Sequence, residues 1–270
     1  MIHAIVCDES GRKVRWQDWG TGAPLVLLPG LSFPVALNLG MVAAHPALPD
    51  RRKILIDYPG SGYSDWRTDC PYTLSLHAQA VLAVIRSLGL GPVDVFGYSM
   101  GGTVAIMAAL EDSAVFNRLI VAEANVEPGG GGASLAIARQ GRAAFLSEGY
   151  DRLINSLAAD TRPGYGPPLR YAGWRDADPA ALFDNAAGLV DLPDDFFAHY
   201  TGLPVPRAFL YGGRNLGGGP TPDTPEVARL ERAGIQSFVV PDAGHSMMFD
   251  NLPGFMSALV AALDIEARQT

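Results

Sequence analysis

Short apolar runs, each closed by glycine or proline, recur along the chain. APLVLLPG (23–30), RKILIDYPGSG (52–62), PVDVFGYS (92–99), RLIVAEAN (118–125), PRAFLYGG (206–213) and QSFVVPDAG (236–244) share this form, wholly or in part. An apolar run without polar alternation is the pattern of a strand buried on both faces. Between these runs the period changes. Residues 73–90 place Leu76, Ala80, Leu82, Val84 and Leu88 at helical spacing, with Thr73 or Ser75 to cap the start and Gly89 or Gly91 to end it. Further helices are predicted near 35–44 and over 100–113, 224–234 and 253–267. The first eighteen residues after Ile2 differ, because HAIVCDESGRKVRWQDWG reads as a hairpin around Glu9-Ser10-Gly11. Buried strands alternating with helices predict an α/β fold. Its sheet is mostly parallel and twisted, of about eight strands, with helices on both faces.

The rhythm breaks over 127–203. This stretch holds PGGGG, scattered helical pieces and the turn-rich RPGYGPPLRYAGWRD. It reads as a small, mainly helical cap with a loop-like centre, inserted in a core made of 1–126 and 204–270. Most of its aromatic residues read as contacts between cap and core.

Composition narrows the function. The chain has 270 residues, 48% hydrophobic and 18% charged, which excludes global disorder. A net charge of −8 speaks against a nucleic-acid partner, since phosphate binding needs a basic face. Two cysteines, Cys7 and Cys70, make no disulfide framework and read as free thiols. MIHAIVCDESGRK does not read as a signal peptide, and no apolar run approaches the ~18 residues of a membrane span. The expectation is a cytoplasmic protein acting on a small molecule, with no membrane partner.

Motifs for cofactors fail on inspection. GSGYSD follows a strand, but Asp65 stands where a dinucleotide fingerprint needs its third glycine. GGGG at 129–132 lacks the Gly-Lys-Ser/Thr of a phosphate loop, and no His or Cys pair has metal-ligand spacing. No cofactor and no metal are expected.

One motif carries chemistry. GYSMG places Ser99 between Gly97 and Gly101, after a predicted strand and before a small-residue helix. That is the context of a nucleophile elbow, where a sharp turn presents a serine hydroxyl to a cleft. The following helix adds a positive dipole end beside developing negative charge. With LLPGLS (27–32), DYPGSGYSD (57–65), GYSMG (97–101), the cap-like insertion and PDAGHSMMFDNLPGF (241–255), the chain resembles the α/β-hydrolase family over nearly its whole length.

The resemblance implies the remaining site. Of five histidines, His245 lies in the loop after the last strand, where the family holds its general base. The oxyanion donors would be the Met100 and Leu31 amides. The first cleft loop has Pro29-Gly30 in place of the usual His-Gly, and Ser32 either adds a hydroxyl donor or caps the next turn. The family's acid usually follows the strand in FLYGGRNLGGGP, but that position holds Asn215. Asp57, Asp223, Asp242 and Asp250 are other carboxylates near strand ends. Glu123 is favoured, because a minority of the family carries its acid after that strand; Asp223, or a dyad with Asn215 as neutral orienter, is the alternative. Met247 is a candidate for the substrate pocket.

The implied function is a serine-dependent hydrolase of a small or medium apolar ester, thioester or lactone. The same Ser/His pair would also serve acyl transfer, cyclisation, or a lyase or epimerase step. The fold alone would serve a ligand-binding receptor or scaffold.

Overall fold

A computed structural model describes residues 1–66, 71–162, 164–216 and 227–266. Cys70, Asp223 and Gly217–Gly219 lie outside them. The hairpin is β1 (Ile2–Val6) and β2 (Lys13–Trp19). Then follow β3 (Ala23–Leu28), α1 (Val35–Ala43), β4 (Arg51–Asp57), α2 (Leu74–Ser87), β5 (Val93–Tyr98), α3 (Met100–Glu111) and β6 (Phe116–Ala122). The eight-stranded sheet has the order β1-β2-β4-β3-β5-β6-β7-β8, with β7 at Arg207–Gly212 and β8 at Gln236–Val240. β1–β2 and β2–β4 pair antiparallel; every other pair is parallel.

The strands alternate their side chains between two apolar layers, as the pleat requires. Val26 and Leu28 of β3 join Ile54, Ile56, Val93 and Val95 in the layer covered by α2 and α3. Leu25 and Leu27 join Leu55, Phe96 and Tyr98 under α1 and α12 (Leu252–Leu263). Leu25 to Leu28 are wholly buried, and each contributes about 1.5–3 kcal/mol. Helices therefore cover both faces, as the apolar runs predicted. Thr73, rather than Ser75, caps α2: its hydroxyl accepts the Leu76 N–H at 3.0 Å.

Between β6 and β7 the chain is helical: α4 (Gly132–Ala138), the single turn α5 (Arg142–Ala144), a π-helical turn at Phe145–Gly149, α6 (Tyr150–Ala158), α7 (Gly166–Trp174), α8 (Pro179–Val190) and α9 (Phe196–Thr201). The predicted loop at the centre of this segment is thus a correction: GPPLRYAGW forms α7. Its two prolines sit in the first turn, where an amide has no helical acceptor anyway, so they start the helix instead of breaking it. After β7 come α10 (Val227–Arg232), β8, α11 (Met247–Asp250) and α12. Among the described residues, no helix is long and apolar enough to cross a membrane.

Candidate active site

Four neighbouring strands deliver the predicted polar residues to one edge of the sheet. Ser99 follows β5, Glu123 follows β6, Asn215 follows β7 and His245 follows β8. Ser99 has φ 53° and ψ −124°, a strained turn costing about 1–3 kcal/mol for a residue with a Cβ. Backbone bonds hold it: the Ser99 N–H donates to Ala122 O at 2.8 Å, and the Gly102 N–H donates to Ser99 O at 2.8 Å. The other non-glycine residues with positive φ among those described are Ser32, Glu123 and Asp242, each just beyond the carboxyl end of a strand. Two of these four strained residues, Ser99 and Glu123, carry side chains of the contact chain described next.

The side chains form a continuous chain of contacts. His245 Nε2 lies 3.1 Å from Ser99 Oγ, and His245 Nδ1 lies 3.4 Å from Glu123 Oε2. Glu123 has no exposed side-chain surface, whereas His245 is half-exposed. Glu123 Oε1 accepts the Gly212 N–H at 2.8 Å, and Oε2 accepts from Asn215 Nδ2 at 2.8 Å. Asn215 thus shares the Glu123 carboxylate with Gly212 and His245. The Tyr98 hydroxyl donates to His245 O at 2.9 Å, and its ring lies 5.3 Å from the imidazole, so the histidine loop is fixed from below. Burial pushes the Tyr98 hydroxyl well above its ordinary range, keeping it a neutral donor.

Two of the other carboxylates, Asp57 and Asp250, serve the backbone. Asp57 accepts the Val35 N–H at 2.7 Å and the Tyr63 N–H at 3.1 Å, tying the loop before α1 to the turn after β4. Burial raises its pKa to about 6. Asp250 accepts the Gly244 N–H at 2.8 Å. Met247 is a correction: it is wholly buried in the apolar layer shared with Phe255, and it does not line the cavity.

The first cleft loop is braced from the helical segment. Trp174 Nε1 donates to Leu31 O at 2.7 Å, and Gly30 N–H donates to Asn38 Oδ1 at 2.8 Å. The Leu31 and Met100 amides donate to no group among the described residues. Ser32 does not cap a turn: Asn185 Nδ2 of α8 donates to its Oγ at 3.1 Å, while Asn185 Oδ1 is 2.7 Å from His77 Nε2. That leaves His77 neutral with its proton on Nε2. Desolvation pulls the His77 pKa from 6.5 to about 4.

This shift has a testable consequence. Between pH 6.5 and 4 the unfolded chain takes up a proton that folded His77 refuses, so its share of stability is lost as pH falls through that window. The full loss is about 3 kcal/mol. Asp57 acts oppositely over its own window, since its raised pKa favours the folded state at lower pH. Urea titrations of wild type and His77→Gln at pH 7 and 4.5 isolate the histidine. Wild type is expected to lose the more stability on acidification; parallel losses would contradict the assignment.

A cavity of about 260 Å³ opens on Ser99 and His245. Leu31, Phe33, Leu169, Trp174 and Leu189 supply apolar walls, and Asn38, Asn125 and Arg170 supply polar ones. Sequence reasoning missed Asn38, Asn185 and Arg170. None belongs to a motif, and only tertiary packing brings them to the site.

The profile of the alpha/beta hydrolase family matches residues 25–258. The chain belongs to this family. Within it, the chain is 29% identical over 258 residues to the N-formylmaleamate deformylase of Pseudomonas putida, covering 91% of this chain and 90% of that protein. An esterase of Mycobacterium tuberculosis is 32% identical over 107 residues, covering 38% of this chain and 34% of the esterase. The structure of the N-formylmaleamic acid deformylase of Pseudomonas putida S16 superposes with a TM-score of 0.73 at 23% identity, covering 96% of this chain and all of that one. These relatives of the α/β-hydrolase family are hydrolases.

Proposed function

We propose that the protein is a serine-dependent hydrolase that cleaves an ester-type bond of a small substrate through an acyl-enzyme. The contact chain from Ser99 Oγ through His245 to Glu123 carries this reading. His245 Nε2 takes the hydroxyl proton as Ser99 Oγ bonds to the carbonyl carbon. The Leu31 and Met100 amides hold the resulting oxyanion. His245 then gives its proton to the departing oxygen, and the carbon–oxygen bond breaks. Water follows in reverse: His245 takes its proton, the hydroxide adds to the acyl carbon, and Ser99 leaves with the proton returned. Glu123 keeps the imidazole proton on Nδ1 and balances the imidazolium charge. Residues 127–203 act as the cap that closes the cavity over Ser99.

A fluorophosphonate is expected to label one peptide, that containing Ser99, and to abolish turnover of short-chain nitrophenyl esters. Esterase turnover that persists after complete labelling would defeat the proposal. A second reading keeps the machinery and changes the bond. The relative matched over nine-tenths of its length is a deformylase, which favours an N-formyl amide as the group cleaved. Comparing kcat/KM for an N-formyl amide with that for the matching ester separates the two.

A further inference from the structure

We propose that Arg170 is a carboxylate-binding residue, so that the substrate carries a free carboxylate a few bonds from the bond cleaved. The inference rests on the hydrolase reading for the reaction, and on the following geometry for the acid group. Gly166, Leu169, Arg170 and Trp174 recur at helical spacing on α7, and all four line the cavity that opens on Ser99 and His245. The helix is anchored at its far end, where Trp174 Nε1 donates to Leu31 O at 2.7 Å and Tyr150 Oη donates to Trp174 O at 2.8 Å. Arg170 therefore projects from a fixed element.

Its guanidinium has no hydrogen bond and no ion pair among the described residues. Asp160 is the carboxylate whose field reaches it, but Arg162 has already taken that group. Arg162 Nε lies 2.9 and 3.0 Å from the two Asp160 oxygens. Arg170 is partly buried, and desolvation depresses its pKa. A half-buried, unpaired guanidinium is an unfavourable arrangement unless a ligand anion completes it. Other arginines of the chain, such as Arg51, Arg52 and Arg118, do have carboxylate partners.

Charge count selects the anion. Among the described residues lining the cavity, Arg170 is the one arginine or lysine, and no Asp or Glu is present. A single planar fork matches a single monoanionic carboxylate in two parallel hydrogen bonds. A phosphate dianion would leave charge unbalanced in this enclosure. Asn38 adds a second opening for a polar group: it lines the same cavity, is wholly buried, and its Nδ2 has no partner among the described residues. The volume of about 260 Å³ lies at the small end of ligand cavities, which restricts the substrate to a short half-acid.

The test compares 4-nitrophenyl hemisuccinate with its methyl-capped neutral ester on wild type, Arg170→Met and Arg170→Lys. Wild type is expected to favour the free acid in kcat/KM. Arg170→Met should reduce that preference about tenfold to a hundredfold, with Arg170→Lys between them. Calorimetry with succinate provides a readout independent of turnover: wild type binds, and Arg170→Met binds at least about tenfold more weakly. An unchanged ester preference together with unchanged succinate binding overturns the proposal, as does an equal loss on both esters. If neither ester is cleaved but succinate binding depends on Arg170, the hydrolase reading falls and the carboxylate site stands. If both esters are cleaved with the same preference by wild type and Arg170→Met, the carboxylate site falls and the hydrolase reading stands.

Discussion

Glu123→Gln is expected to lower kcat about a thousandfold to ten-thousandfold while the chain still folds. The size follows from where the buried carboxylate sits. Its Oε1 accepts the Gly212 N–H, and its Oε2 accepts from Asn215 Nδ2 and faces His245 Nδ1. A glutamine can keep Oε1 on Gly212 only by turning its own NH₂ toward Asn215 and His245. That NH₂ donates where a donor already stands. The imidazole must then accept on Nδ1 and carry its proton on Nε2, facing Ser99 Oγ at 3.1 Å with nothing left to take the hydroxyl proton. The imidazolium also loses its counter-charge. Asn215→Ala removes one donor and leaves the carboxylate, so a loss of about tenfold is expected from it. Steady-state kinetics on a nitrophenyl ester, with circular dichroism to confirm folding, decide the matter. Near wild-type turnover by Glu123→Gln would mean that His245 works without an acid, and the assignment of Glu123 would be lost.

The absent aspartate was therefore readable only in part. That position 215 holds an amide is plain from the sequence, and Glu123 at the end of a buried run was the best substitute. What could not be read was how the two cooperate. β6 and β7 are neighbours in the sheet, so their ends bring Asn215 and Gly212 onto the same carboxylate. The core elements were legible because a strand buried on both faces leaves an uninterrupted apolar run, and β3 to β8 leave such runs in whole or part. The helical segment was less legible. RPGYGPPLRYAGWRD reads as a loop because a proline's effect depends on whether it stands in the first turn or the interior, and the boundary of α7 is not visible in the sequence. Met247 shows the same limit from the other side: adjacency to His245 along the chain did not bring it to the cavity, since α11 turns it into the core. Arg170 was invisible for a different reason. An arginine has the same sequence signature whether or not a carboxylate awaits it, and only the tertiary surroundings tell the two apart.

The second large effect is expected at Gly97, where replacing one hydrogen by a methyl group should cost about 3 kcal/mol or more of stability. A Cβ there would lie 2.3 Å from Gly101 O, 2.5 Å from Gly101 C and 2.6 Å from Gly102 N. All three are backbone atoms at the start of α3, so no side chain can swing aside. The start of the helix is also held close to the ends of β3 and β6. A Cβ on Gly101 would meet Leu28 O at 2.4 Å, which shows how closely α3 already lies on the end of β3. Gly97→Ala must therefore push α3 off β5, and with it Ser99, whose carbonyl accepts the Gly102 N–H at 2.8 Å. A shift of about 1 Å at the nucleophile is enough to cost about a hundredfold in rate. Any soluble Gly97→Ala protein is expected to show both losses together. Gly40→Ala is the internal comparison. It lies within α1, its Cβ would meet nothing within 4 Å, and alanine's better helix propensity should raise stability by about 0.5–1 kcal/mol. Urea denaturation of the two variants, with kcat on the soluble protein, measures the difference. If Gly97→Ala were as stable and as active as wild type, α3 would have room to move. The strained φ of Ser99 would then have to be held by its own hydrogen bonds and not by the packing of strand against helix.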